Sequence, residues 1–136
     1  MSVVASTGPE WKTFALRMTS DKACVILTFL NKDMRSSQSV RELESELVRM
    51  VPSMKSRRLI FDFSGMANAS SAIFGLVLQA AIDARAKGVS VGACCMPPTM
   101  RKAFELISAK AYVEVFDDAR QALLATSGKK RGWWPF

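Results

Sequence analysis

The sequence predicts an α/β domain with a mostly parallel, mixed five-stranded sheet, in the order β-β-α-β-α-β-α-β-α. Three observations carry this. Short apolar runs rich in branched and aromatic residues recur at 23–29, 58–63 and 89–96, the pattern of strands buried on both faces. Between them, apolar residues return at helical spacing. After an initial hairpin, the two patterns alternate strictly, which calls for parallel strands joined by crossover helices.

Residues 1–12 are small, polar and turn-prone and read as a flexible leader, so the domain is expected over 13–126 and a tail over 127–136. Phe14, Leu16 and Met18 alternate with polar residues, the period of a half-buried strand. A polar turn over Thr19–Lys22 leads into the second strand, Ala23–Phe29, giving an antiparallel hairpin. Val40, Leu43, Leu47, Val48 and Val51 mark one helix face; Ser39 and Glu42 suit a capping box, and Pro52 stops the helix.

Arg58–Phe63 is the third strand. The helix expected over 71–87 carries Ile73, Leu76, Val77, Ala80, Ala81 and Ala84 on one stripe and ends at Gly88. Val89–Met96 is the next strand, and Pro98 suits the first position of a helix burying Met100, Ala103, Phe104 and Ile107. Tyr112–Phe116 is a short last strand. Asp117 and Asp118 then complement the positive end of a final helix carrying Ala119, Ala122 and Leu123.

Composition limits the chemistry. The 136 residues are 49% hydrophobic and 23% charged, as in a globular domain. No apolar run approaches the roughly 20 residues of a bilayer span, and the N-terminus lacks the basic and apolar regions of a secretory signal, so neither is expected. The chain has no histidine. With no Gly-rich phosphate loop and no paired-carboxylate cluster either, no enzyme and no cofactor is expected. Cys24, Cys94 and Cys95 are odd in number and lack CxxC spacing, so no disulfide framework and no metal site is expected. They read as small buried hydrophobes in a reducing cytoplasm, Cys94 and Cys95 facing opposite sides of the sheet.

The formal charge is +7, three of it from Lys129, Lys130 and Arg131. The remaining basic residues are spread along the chain and show no aromatic-basic strand motif, so nucleic acid is not an expected partner. The tail, with Trp133 and Trp134, suits a membrane interface through residues 129–136 or a docking peptide, each charge contributing about 1 kcal/mol near an anionic surface. The plainer reading is a mobile tail.

The most informative stretch begins at the third strand. Asp62-Phe63-Ser64-Gly65 leads through a short loop to Asn68-Ala69-Ser70-Ser71, at the start of an apolar helix. Two hydroxyls thus stand where backbone N–H groups and the helix dipole favour negative charge. Together with Ala72-Ile73, Lys87-Gly88, Pro98, Val115-Phe116 and Asp118-Ala119-Arg120-Gln121-Ala122, this order of features resembles the STAS family, the anti-sigma-factor-antagonist domain that also occurs in sulfate transporters. The resemblance spans residues 14–125 and is carried mainly from Arg58 onward.

The resemblance implies a non-enzymatic interaction module that binds a serine kinase or an anti-sigma factor. It makes Ser70 the phosphoacceptor, with Ser71 the second choice, and puts Asn68, Ala69, Ser70 and Ser71 on the partner-binding surface. Asp33 would take the place of a family acid in the loop before the first helix. Ala69 stands where the family has an aspartate, Ala72 and Phe74 where it has glycines. Ala69 and the basic aromatic tail motivate an alternative: a constitutive, never phosphorylated adaptor of a membrane transport system (a transporter component) or a larger signalling assembly. The plain reading of Ser70 or Ser71 is a helix N-cap contributing about 1 kcal/mol.

Overall fold

The computed structural model describes residues 4–5, 10–12, 16–20, 24–53, 57–106 and 112–126. The five expected strands are β3 (Leu16–Ser20), β4 (Cys24–Phe29), β6 (Arg58–Asp62), β8 (Ser90–Cys94) and β9 (Glu114–Phe116). Among the described residues the α-helices are α1 (Ser37–Met50), α2 (Ser71–Ala86), α3 (Pro98–Leu106) and α4 (Ala119–Thr126). β3 and β4 form the antiparallel hairpin, with Leu16 opposite Phe29. β4, β6, β8 and β9 then run parallel, each beside the next.

Because the parallel strands step in one direction across the sheet, their crossover helices gather on one face. There Val25, Leu27, Phe29, Leu59, Phe61, Phe63, Val91 and Ala93 meet Leu43 and Leu47 of α1, Ile73, Val77 and Ala81 of α2, and Met100 and Phe104 of α3. Parallel register sets Val25 beside Leu59 and Leu59 beside Val91, so alternate residues of every strand feed this core. Phe29 lies 4.7 Å from Phe63 and 6.0 Å from Phe61, ring centre to ring centre. The opposite face has a smaller cluster, Cys24, Ile60 and Cys94 packed with Ala122 of α4.

Several local features differ from the sequence reading. Val4–Ala5 (β1) and Glu10–Lys12 (β2), within the expected leader, are short strands that extend the main sheet to seven strands among the described residues. Two or three residues held by backbone pairing show no periodicity. Thr19 and Ser20 continue β3 where a turn is expected. Helix α1 begins two residues before Ser39, with Ser36 as its cap: the Ser39 N–H donates to Ser36 Oγ at 3.0 Å, and Glu42 accepts from Gln38 Nε2 at 3.3 Å. Its first turn is polar and exposed, so the apolar stripe understates its length.

The end of α2 follows the expectation. Gly88 adopts φ +85°, its N–H donates to Arg85 O, and the Val89 N–H donates to Ala84 O, a closure that favours glycine. Asp118 caps α4 by accepting from the Gln121 N–H at 2.8 Å. Among the described residues, no helix is long and apolar enough to cross a membrane. Phe14, Ile107, the rest of the leader and the whole tail 127–136 lie outside the described residues.

Candidate functional site

The candidate site is built at the carboxyl ends of β4 and β6. Asp62 closes β6: its Oδ1 accepts from the Ser64 N–H at 2.9 Å and its Oδ2 from Thr28 Oγ1 at 3.3 Å. A side chain at Gly65 would run into the carbonyl oxygen of Phe29, so this turn requires a residue without Cβ. The Met66 N–H donates back to Phe63 O, and buried Met66 anchors the loop.

The loop then pairs with the segment ahead of α1. β5 (Asp33–Met34) and β7 (Asn68–Ala69) form a separate two-stranded parallel sheet, Asp33 beside Asn68 and Met34 beside Ala69. The Ala67 and Asn68 N–H groups donate to Lys32 O at 2.8 and 3.0 Å, and the Ser70 N–H donates to Met34 O at 3.1 Å. Asp33, Asn68, Ala69, Ser70 and Ser71, all expected on one surface, are thereby brought together.

Ser70 is the N-cap residue of α2, in extended conformation (φ −78°, ψ 165°), and its side chain makes no capping bond. Its Oγ is buried and has no hydrogen-bond partner among the described residues. Ser71, the first helical residue, is exposed. Asp33 is gripped by Arg35, Nε to Oδ1 at 2.9 Å and a terminal nitrogen to Oδ2 at 2.8 Å. This fork holds the Asp33 carboxyl below its ordinary range, chiefly through the side-chain hydrogen bonds. Both partners are solvent-exposed, so the pair orients the loop more than it stabilises the fold.

A second cluster lies at the same end of the sheet. Strand alternation predicts that Cys94 and Cys95 point to opposite faces, and the structure corrects this. Cys94 is the last ladder residue of β8, and Cys95, just beyond it, takes φ +63°. Both thiols therefore lie on the α4 side, where the donor atoms of Asp62, Cys94 and Cys95 are all within 4.8 Å of one another. Burial pushes the Cys94 thiol far above its ordinary value, and the Asp62 carboxylate adds to the shift; burial raises Cys95 as well. The sequence, read as a strand to Met96, gives no sign of this; in the structure the strand ends at Cys94, and a residue outside the ladder need not alternate.

A model of the STAS domain family matches residues 20–122. The anti-sigma factor antagonist SpoIIAA in its unphosphorylated form is 17% identical, with a TM-score of 0.63 over 81% of this chain and 94% of that one. The Bacillus cell fate determinant SpoIIAA in its phosphorylated form is also 17% identical, with a TM-score of 0.63 over 80% and 96%. An anti-sigma-factor antagonist (STAS) domain protein from Planctomyces limnophilus is 14% identical, with a TM-score of 0.69 over 80% and 94%. At these identities the likeness is one of fold. A search of curated proteins gave no match.

Proposed function

Because the chain belongs to the STAS domain family, we propose that it is a non-enzymatic, cytoplasmic interaction module of the anti-sigma-factor-antagonist kind. It binds a partner serine kinase or anti-sigma factor through the surface formed by Asp33, Asn68, Ala69, Ser70 and Ser71. Phosphorylation of Ser70 switches that contact. The observation that supports this most is the serine pair at the uncapped start of α2, framed by the β5–β7 ribbon. The first-turn N–H groups receive no side-chain cap from Ser70, so an added phosphate of about −1.5 to −2 charges meets the positive end of the helix. The domain accommodates the anion, while a docked partner has to desolvate it. The two SpoIIAA structures are of a phosphorylated and an unphosphorylated form of that protein.

Ser70 Oγ is buried and has to move to meet a kinase, whereas Ser71 is already exposed. The test is incubation with a candidate kinase and ATP, read by intact mass. One phosphate is expected on wild type and on Ser71→Ala, and none on Ser70→Ala. No phosphate on wild type, or an unchanged gain on Ser70→Ala, removes Ser70 from the role.

The constitutive adaptor is the second reading, favoured by Ala69 and by the buried position of Ser70 Oγ. It predicts that Ser70→Glu leaves partner binding intact, whereas the switch predicts its loss. Sedimentation with anionic liposomes, with and without residues 127–136, tests whether the basic aromatic tail adds a membrane contact; equal pelleting argues against one.

A further inference from the structure

The cluster on the α4 side takes no part in the proposed switch, and its chemistry differs from that of the serine surface. We propose that Asp62, Cys94 and Cys95 form a binding site for a thiophilic divalent cation of the Zn²⁺ class. The donor set is two sulfurs and one carboxylate oxygen, all within 4.8 Å of one another. Bonds of about 2.3 Å to sulfur and 2.0–2.2 Å to oxygen around a tetrahedral ion set donors roughly 3.3–3.8 Å apart. The side chains therefore need to close by no more than about 1–1.5 Å.

Three further observations fit a ligand there. First, Cys95 holds φ +63°, a backbone region that a residue with a Cβ occupies at a cost of about 1–2 kcal/mol. That conformation turns the Cys95 thiol toward Asp62 instead of across the sheet. Second, the carboxylate is already oriented, by Thr28 Oγ1 on one oxygen and the Ser64 N–H on the other, as metal-binding carboxylates commonly are. Third, Ile60, Phe116, Ala119 and Ala122 pack around the cluster with apolar atoms, while Cys95 is only partly buried. Burial and the neighbouring carboxylate keep the metal-free thiols protonated; a dication reverses that balance. On binding, Cys94 and Cys95 each release a proton to solvent and form a metal–sulfur bond, Asp62 supplies the oxygen, and water fills the fourth position. No electron is transferred.

The test uses the reduced full-length chain, titrated with Co²⁺ for its thiolate charge-transfer absorption and with Zn²⁺ by calorimetry in buffers of different ionisation enthalpy. One equivalent and two released protons are expected. Cys95→Ala, at a partly buried position beyond the strand end, is expected to keep the native circular dichroism spectrum and to lose the two-thiolate band, with affinity falling at least about 10–100-fold. Asp62→Asn keeps the band and binds at least tenfold more weakly. Cys24→Ala, at the other end of β4, binds like wild type. The proposal is overturned if wild type develops no thiolate band, if Cys95→Ala binds as tightly as wild type, or if Cys24→Ala abolishes binding. A phosphorylation result at Ser70 leaves each of these outcomes unaffected.

Discussion

Two serines occupy helix N-caps in this fold and behave differently. Ser36 Oγ accepts the Ser39 N–H, whereas Ser70 Oγ accepts nothing among the described residues and is buried. Ser36→Ala is therefore expected to lose about 1 kcal/mol, the usual contribution of a cap. Ser70→Ala removes a buried hydroxyl that forms no bond, so its stability is expected to equal or exceed that of wild type by up to about 1 kcal/mol. Urea unfolding of the two variants checks this; a loss at Ser70 matching that at Ser36 would show a capping bond. The sequence identifies Ser70 by its position after a strand and before an apolar stripe. It does not reveal whether the hydroxyl caps, because that depends on one side-chain torsion. Asp33 illustrates the same limit: the resemblance puts it near the site, but its contact with the loop depends on backbone pairing with Asn68.

At the scale of elements, the crossover units were legible because each strand is a dense apolar run and each helix a stripe. The short pieces were not. β1, β2, β5 and β7 contain two or three residues each and are defined by the strand beside them, which no local pattern encodes. The early start of α1 was hidden because Ser37 and Gln38 face water. Helix α2 carries one weakness of its own, Gly75 in its interior, where an added Cβ meets nothing within 4 Å. Gly75→Ala is expected to stabilise the fold by about 0.5–1 kcal/mol by lowering the entropic cost of helix formation. The urea midpoint should rise with its slope unchanged, and a drop would mean that the helix needs this glycine.

Across the whole molecule, the two faces of the sheet carry unequal loads. Three helices cover one, and the smaller cluster beneath α4 holds the polar and sulfur chemistry. This gives stability a distinct dependence on pH. The Cys94 thiol, ordinarily near 9.0, is raised in the folded state, so the folded chain keeps a proton that the unfolded chain gives up. Its contribution is fully present below that ordinary value and is lost as pH climbs above it toward the raised one. In metal-free buffer, thermal unfolding of Cys94→Ala is expected to decline less steeply than wild type above about pH 9, whatever its offset at neutral pH; parallel curves would mean that the thiol is not protected. The β5–β7 ribbon has a consequence of another kind. Because the amides of Ala67, Asn68 and Ser70 all end on carbonyls of the segment before α1, the starts of both helices are expected to open together. In deuterium exchange, those three amides are expected to share one rate and to shift in step in Ser70→Glu; a Ser70 amide exchanging alone would show the two loops unfastened from each other.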